Sequence, residues 1–285
     1  MRLPTLFVSH GGGPLPLLGD AAHAPLAASL RALPARLGLP APPRAILLCS
    51  AHYEQPGPSI LPSPPPDGGL LFDYYGFPPE SYAFRYAPRG APDVAESAAE
   101  LLTRAGFTPR LDTSGRGLDH GAFVPLMLMW PQGEVPVVEL SVLSSLSAEE
   151  HLRMGEALAP LRDEGVLLVG SGSSFHSIPK IFEGMRGGGG GGGGGDGGEL
   201  IGQAFDDYLA EACTCNAGAQ RAQKLAAWAS APGAREAHPR AEHLMPLLFA
   251  TGAAGGDAGR AERVALGRVA MSSFVFGGQA PPSRQ

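Results

Sequence analysis

The chain has 285 residues, of which 44% are hydrophobic and 17% are charged, and its formal net charge is −6. This length and composition predict a folded protein with a substantial core, and the scattered placement of the 21 basic residues argues against a nucleic-acid partner. Three cysteines are too few for a disulfide framework, and no run of 18 apolar residues indicates a membrane span, so we expect a cytoplasmic protein.

Short apolar runs alternate with helical patterns along the chain. Strands are predicted at residues 5–9, 45–49, 135–142, 166–169 and 268–275, and helices at residues 22–37, 93–105, 148–161 and 200–212. Strands that alternate with helices of this length favour a sheet covered on both faces. We therefore expect an α/β fold, with residues 1–285 forming a single catalytic domain around a central, mainly parallel sheet flanked by helices.

Two stretches interrupt this alternation. The proline-rich residues 56–69 predict a surface loop. Nine consecutive glycines at residues 187–195 have no side chains to bury and predict a disordered loop at about residues 186–198. Neither this tract nor "VGSGSS" has the spacing of a phosphate-binding or dinucleotide-binding loop, so no nucleotide cofactor is expected.

Three of the eight histidines lie just past the ends of predicted strands. His10 follows "TLFVS", His52 follows "ILLCSA", and His176 follows "VLLVGSGSSF". Ligands of open α/β sheets bind at the carboxyl edge of the strands, and imidazole is the commonest protein ligand for zinc, iron and copper. A single histidine in such a place is usually structural, but three equivalent ones indicate an active site at this edge.

The other five histidines occupy varied positions. His120 is predicted in a loop before the apolar run "VPLMLMW", and His243 at the start of a helix-like run. His238 is expected to line the site without binding a metal. His23 and His151 lie in helical segments with polar neighbours and are predicted to be at the surface.

The spacing of these histidines excludes several familiar sites. There are no cysteine pairs of a zinc finger, no HExxH helix and no GxSxG nucleophile turn. Two or three histidines scattered along the chain, with or without a carboxylate, instead suggest a catalytic metal that keeps open positions.

Six motifs resemble the class III (LigB-type) extradiol ring-cleavage dioxygenases, most closely their DOPA extradiol dioxygenase branch. They are "VSHGGGP", "SAHYE", "DYYGFPPESYAFRYAPRGAP", "RGLDHGAFVPLMLMWP", "ALAPLRDEGVLLVGSGSSFHS" and "HPRAEHLMPLLFATGAA". They occur in the family's order and cover nearly the whole chain. The resemblance implies an oxidoreductase that opens the ring of a catechol, DOPA-like, with O2. The expected partners are these small molecules. No nucleic-acid or membrane partner is expected, and the oligomeric state stays open.

The resemblance also implies a metal site. His10 and His52 match two metal ligands of the family, and His243 matches the third ligand in this branch. More distant members use a glutamate there, which leaves Glu242 as the alternative. Fe(II) is the expected cofactor and Zn(II) is possible.

Two further histidines match residues that act beside the metal. His176 matches the acid/base of the family and lies close enough to the open metal positions to count as a ligand in some members. His120, in the "DHG" motif, is expected to touch the substrate or oxygen. The chain departs from the family's usual pattern at two places. Three glycines follow His10, and Ser177 follows His176 where asparagine is common in the family.

An alternative is a zinc-binding family member with a different activity, such as a metal-dependent hydrolase, or with no oxygenase activity. Zinc has no redox chemistry, so a zinc-loaded site would bind a catechol without cleaving it. The retention of both His120 and His176 favours the dioxygenase, because a structural zinc site needs neither.

Overall fold

The computed structural model describes residues 2–186 and 199–278, so the predicted glycine-rich loop lies outside the described residues, apart from residue 186. Within these ranges the chain forms eight strands. They are β1 (Thr5–Ser9), β2 (Ala45–Gln55), β3 (Ser59–Leu61), β4 (Arg110–Leu111), β5 (Val137–Leu143), β6 (Val166–Gly172), β7 (Gly259–Leu266) and β8 (Val269–Phe276). All eight belong to one sheet with the order β4-β3-β5-β2-β6-β1-β8-β7.

The centre of this sheet is parallel. Strand β2 lies between β5 and β6 and runs parallel to both, and β6 pairs in parallel with β1. Antiparallel pairs flank this centre, with β3 against β5, β8 against β1 and β7 against β8. The predicted α/β domain with a mainly parallel central sheet is confirmed, and its parallel strands deliver their carboxyl ends to one edge.

Ten α-helices connect the strands in the described part of the chain. They are α1 (Leu15–Leu18), α2 (Ala24–Arg36), α3 (Pro92–Arg104), α4 (His120–Met129), α5 (Ala148–Leu158), α6 (Ile178–Arg186), α7 (Gln203–Thr214), α8 (Gly218–Ala226), α9 (Ala234–Ala237) and α10 (Met245–Ala254). Short 3₁₀ turns occur at Ala21–His23, Pro79–Tyr82, Ala159–Glu164 and Trp228–Ser230. None of these described helices combines the length and the apolar character that crossing a membrane requires.

Strand β2 differs from its predicted form. It continues past Cys49 to Gln55, and its pairing with β5 shifts between Ser50, which faces Ser141, and Glu54, which faces Val142. The three residues between these pairs, 51–53, form a bulge. Because bulges redirect side chains beside active sites, His52 projects from inside a strand rather than from the loop that follows it.

The proline-rich stretch 56–69 was predicted to be a surface loop, and this prediction is wrong for part of it. Its residues Ser59–Leu61 form β3, are buried, and pair with β5. The prolines at positions 58 and 62 flank this strand and therefore remove no donor from within it. Ile60 and Leu61 between the prolines make burial favourable, which the high proline content of the stretch concealed.

Two histidines predicted to be at the surface are buried, His23 with 1% and His151 with 0% of its surface exposed. Nε2 of His151 accepts a hydrogen bond from the backbone N–H of Leu143 at 3.0 Å, and its Nδ1 donates to the carbonyl oxygen of Ser147 at 2.7 Å. His151 therefore ties α5 to the end of β5. Its burial lowers its pKa to about 4, so the ring is neutral in the folded protein near pH 7.

Candidate metal centre and active site

Three histidine side chains converge at the carboxyl edge of the parallel strands. His10 directly follows β1, His52 lies in the bulge of β2, and His243 lies two residues before α10. Nε2 of His52 is 3.2 Å from Nε2 of His10 and 3.0 Å from Nε2 of His243. The structure therefore brings together three of the histidines that the sequence analysis matched to metal ligands, and the fourth, His176, lies beside them.

The segment that carries His243 reaches this edge because β6 contains two glycines. A Cβ atom on Gly170 would lie 2.0 Å from the carbonyl oxygen of Pro246, and one on Gly172 would lie 2.1 Å from that of His243. The backbone N–H of Ser173 donates to the same His243 carbonyl at 2.9 Å. Any larger residue at the two glycine positions would displace His243 from the cluster.

The Nδ1 atom of each converging ring faces an oxygen atom. The pairs are His10 with Ser171 Oγ at 3.1 Å, His52 with Asp73 Oδ2 at 3.2 Å and His243 with Glu242 Oε1 at 2.9 Å. Ser171 gives its own hydroxyl hydrogen to the carbonyl oxygen of Gly121, so its oxygen accepts from His10. Each ring therefore carries its proton on Nδ1 and turns the lone pair of Nε2 toward the other two rings.

Three lone pairs that face one another repel, and a cation relieves that repulsion. Imidazole nitrogens bind such an ion at about 2.1 Å, so two of them that share it lie no more than about 4.2 Å apart, and the separations of 3.0 and 3.2 Å are within this limit. Burial and the neighbouring histidines lower the pKa values of His10 and His243 well below the ordinary value, which maintains the neutral ring that binds metals. The donor set therefore fits a divalent metal ion.

Asp73 joins this cluster to a fourth histidine, His120. Its Oδ1 accepts hydrogen bonds from Nδ1 of His120 at 2.8 Å and from the backbone N–H of His120 at 3.0 Å. Although burial opposes it, the hydrogen bonds from His120 and His52 hold the pKa of Asp73 well below its usual range. The carboxylate orients both rings, whose centroids are 3.8 Å apart.

His120 was predicted to lie in a loop, but it is the first residue of α4. The helix begins there because the side chain of Asp119 accepts a hydrogen bond from the backbone N–H of Ala122 at 3.2 Å and so caps its N-terminus. Nine of the ten residues of α4 are buried. Because the helix is apolar on all sides, it has no polar face from which its periodicity could be recognised in the sequence.

His176 lies on the other side of the cluster. Its ring stacks on that of His243, with centroids 3.3 Å apart and an interplanar angle of 12°, and its Nδ1 is 3.4 Å from Oε1 of Glu242. The structure groups His176 with Glu242 and His243, whereas the three converging Nε2 atoms are those of His10, His52 and His243. Burial opposes it, but the hydrogen bond with His176 lowers the pKa of Glu242.

The two remaining histidines of this region have supporting positions. His23 accepts a hydrogen bond at Nε2 from the backbone N–H of Gly12 at 3.0 Å and donates from Nδ1 to Asp20 at 2.6 Å, so it holds the glycine loop that follows His10. His238 is buried, with its Nε2 3.0 Å from the carbonyl oxygen of Ser174. Among the described residues that line the active-site cavity, His23 is present and His238, which was expected there, is not.

A cavity of about 270 Å³ opens beside the cluster. Five histidines form its inner end, namely His10, His52, His120, His176 and His243. Farther out its wall is mainly apolar and includes one face of α6. A cavity with polar groups at one end and apolar walls suits an aromatic ring that presents polar substituents to the histidines.

Comparison with known proteins establishes the family. Residues 5–277 match the family described as the catalytic LigB subunit of aromatic ring-opening dioxygenase. The chain belongs to this family. It is an oxidoreductase, an extradiol ring-cleaving dioxygenase that acts on a small aromatic molecule and dioxygen.

Several relatives of this dioxygenase are similar over most of their length. It is 41% identical over 258 residues to dioxygenase tasH of Hapsidospora irregularis, with 88% of this chain and 78% of that protein covered. It is 40% identical over 216 residues to the 4,5-DOPA dioxygenase extradiol of Beta vulgaris, with 75% and 74% covered. The protein of the same name from Escherichia coli K12 is 31% identical over 282 residues, with 97% and 95% covered.

A solved structure shows the same fold. The crystal structure of an uncharacterized protein from Escherichia coli K12 aligns with a TM-score of 0.73 and 29% sequence identity. The alignment covers 97% of this chain and 100% of that one.

Sequence reasoning missed the groups that orient the histidines of this dioxygenase. Asp73 is 47 residues from His120 along the chain, and no local pattern pairs the two. Ser171 likewise acquires its role only through contacts distant in sequence, with His10 and Gly121. The apolar face of α6 could have been found, because Ile178, Ile181, Phe182 and Met185 have the i, i+3, i+4, i+7 spacing of one helix face.

Proposed function

We propose that this dioxygenase holds Fe(II) between the Nε2 atoms of His10, His52 and His243 and opens the ring of a catechol with O2. The observation that carries the proposal is the convergence of three Nε2 lone pairs whose opposite ring nitrogens all face oxygen atoms. Zinc fits the same donors, and a zinc-loaded enzyme would bind the catechol without turnover. In this proposal the whole chain, residues 1–285, acts as a single catalytic domain.

The proposed substrate is DOPA-like, which means a 3,4-dihydroxyphenyl ring with a side chain. Relatives from Beta vulgaris and Escherichia coli that are named 4,5-DOPA dioxygenase extradiol support this ring. When bound, Fe(II) would supply Lewis acidity toward the diol oxygens and a path for electrons from the ring to dioxygen. Imidazole ligands bind a metal in their neutral form and so would leave the ionised diol to balance the charge of the site.

His176 is the proposed acid/base. Its Nδ1 faces the carboxylate of Glu242 at 3.4 Å, and its ring lines the cavity. Nε2 is therefore the atom available to accept a proton from a catechol hydroxyl group. The ionised Glu242 would stabilise the resulting imidazolium, and the stacked ring of His243 holds His176 in place.

His120 is proposed to contact the substrate or dioxygen. Its Nδ1 is committed to Asp73 at 2.8 Å, and the ring lines the cavity beside His52. Its Nε2 is thus the atom that can meet an oxygen of the bound molecule. Since Asp73 orients both His52 and His120, this carboxylate would couple the position of a metal ligand to that of a substrate contact.

We also propose a cytoplasmic location. All three cysteines are free, with Cys49 and Cys213 buried and Cys215 exposed. Free thiols are the usual state in a reducing compartment.

Anaerobic reconstitution with Fe(II) tests the function directly. With one Fe(II) per chain, addition of oxygen and a catechol should give oxygen uptake and a new visible absorbance from the ring-opened product. The panel should include DOPA, and the zinc-loaded protein should consume no oxygen, because zinc cannot change its oxidation state. A site fully loaded with Fe(II) that consumes no oxygen with any catechol of the panel would refute the proposal.

A further inference from the structure

We infer that the catechol preferred by this enzyme carries an uncharged, apolar substituent rather than the charged amino-acid side chain of DOPA. The inference rests on the proposed function, because it takes the diol to lie against the histidines at the inner end of the cavity. It concerns the outer part of the same cavity, which the substituent on the ring would occupy.

One face of α6 forms the outer wall. Ile178, Ile181, Phe182 and Met185 all line the cavity, and Leu15 belongs to the same wall. Ile178 is 49% exposed and Phe182 is 53% exposed, so large apolar side chains remain open to water at the rim. An apolar substituent would cover these side chains and remove apolar surface from water, which favours binding.

The position of α6 is fixed by close backbone contact with the β7–β8 hairpin. A Cβ atom on Gly184 would lie 2.6 Å from Cγ2 of Val269, so only glycine permits this approach. The backbone N–H of Arg268 donates to the carbonyl oxygen of Gly184 at 3.3 Å. These contacts hold the apolar face of the helix against the cavity.

The polar side chains of the outer cavity are committed to partners within the protein. The hydroxyl of Tyr74 donates to the carbonyl oxygen of Ser81 at 2.7 Å, and that of Ser173 donates to the carbonyl oxygen of Phe175 at 2.6 Å. Both ring nitrogens of His23 are also used. These three side chains therefore have no remaining hydrogen to donate to a carboxylate on the substrate.

Charged partners are likewise missing from the lining. Among the residues that the structure describes, no lysine, arginine, aspartate or glutamate side chain lines the cavity. A charged group that leaves water without a partner of opposite charge is strongly disfavoured. An ammonium and a carboxylate group held within the cavity would both face this cost.

The size of the cavity leaves room for such a substituent. A benzene ring fits a cavity of about 150 Å³, and the cavity here has a volume of about 270 Å³. The remaining volume accommodates a short alkyl chain. The volume therefore accommodates a catechol with a side chain as long as that of DOPA, and the apolar lining favours a side chain without charge.

Binding to the zinc-loaded protein tests the inference, because zinc keeps the ring intact. The first pair of probes is 4-propylcatechol and DOPA, which share the ring and a three-carbon chain and differ in the ammonium and carboxylate groups. Dopamine and 3-(3,4-dihydroxyphenyl)propanoate carry one charge each. In calorimetric titration we expect 4-propylcatechol to bind at least about tenfold more tightly than DOPA, with the singly charged probes weaker than 4-propylcatechol.

The outcomes separate this inference from the proposed function. If DOPA binds as tightly as 4-propylcatechol, or more tightly, the inference is overturned and the proposed function stands. If neither catechol binds to protein that holds one zinc per chain, the proposed catechol site fails and the inference fails with it.

A pair of α6 variants places the substituent. Phe182→Lys adds a positive charge at the exposed rim, and Glu183→Gln makes the same charge change at a neighbouring residue outside the cavity lining. Phe182→Lys should shift the ratio of affinities toward the propanoate probe by about two- to fivefold, the range of an exposed ion pair, while Glu183→Gln leaves the ratio unchanged. Equal ratios in both variants and the wild type would overturn the assignment of the α6 face to the substituent.

Discussion

Oε1 of Glu242 lies 2.9 Å from Nδ1 of His243, whose Nε2 lies 3.0 Å from Nε2 of His52. The two nitrogens are on opposite sides of the imidazole ring. The carboxylate therefore contacts the side of His243 that faces away from the proposed metal. This arrangement supports the proposal that His243 binds the metal and that Glu242 orients its ring.

Glu242→Ala should weaken metal binding without abolishing it. Loss of a carboxylate that orients a ligating histidine typically lowers metal affinity about 10- to 100-fold, whereas His243→Ala should lose the stoichiometric site. Competition of the purified variants with a chelator measures both effects, and Glu236→Ala, in an exposed glutamate, serves as the control. A Glu242→Ala protein that holds no metal at saturating Fe(II) would make Glu242 the ligand.

His52→Ala should abolish stoichiometric metal binding and leave the fold intact. The ring is partly exposed, and its removal relieves repulsion among the three Nε2 lone pairs in the metal-free protein. With chelator present, the variant should therefore melt within a few degrees of the wild type. With metal at about 100 times its dissociation constant, the wild type alone should gain about 2.7 kcal/mol of stability. One metal ion retained per variant chain would contradict the assignment of His52.

His176→Ala should retain the metal and lose turnover. Removal of a general acid/base typically costs about 100-fold or more in kcat, and the three converging Nε2 atoms belong to other residues. Metal content and oxygen uptake are to be measured on the same preparation. His151→Gln, which changes a histidine that ties α5 to β5, controls for the loss of any buried imidazole. Turnover near that of the wild type would remove His176 from the proton transfer.

His151 should make the protein sensitive to acid. Its pKa is about 4 in the folded state and about 6.5 when unfolded, so the unfolded chain binds the proton first as the pH falls. The free energy of unfolding is therefore unaffected by His151 above pH 6.5. It decreases between pH 6.5 and about 4, by up to about 3 kcal/mol.

His151→Gln should flatten this dependence, because glutamine does not titrate and its amide oxygen can accept the hydrogen bond from Leu143. Urea unfolding of metal-free protein at pH 7.5, 6, 5 and 4 measures the slope. His238, whose burial also lowers its pKa to about 4, remains in the variant and maintains part of the slope. An identical slope in the wild type and the variant would show that His151 is not a source of acid sensitivity.

The edge of the sheet that carries the site was predictable from sequence. His10 and His52 follow buried apolar runs, and the strands that contain those runs are parallel to β6. Parallel neighbours end at a common edge, so strand assignments alone bring the two histidines together. The bounds of β1 were also predictable, because all five of its residues are buried in one unbroken run.

Other elements could not be predicted because their sequences lack a local pattern. Nine of the ten residues of α4 are buried, so it has no polar face to reveal its period, and His120 was predicted in a loop. The burial of His23 and His151 depends on partners that the neighbouring sequence does not specify, namely Gly12 and Leu143. The bulge in β2 arises from pairing with β5, which is absent from the local sequence.

The placement of β1 sets the order in which the protein assembles during synthesis. Its residues Thr5–Ser9 are made well before β6 and β8, the two strands between which they lie in the sheet. Even after β6 has emerged, the histidine cluster lacks His243 until most of the chain has left the ribosome. Until then the nascent chain has no complete histidine cluster, and the proposed metal site forms only once β1, β6 and the segment that carries His243 have met.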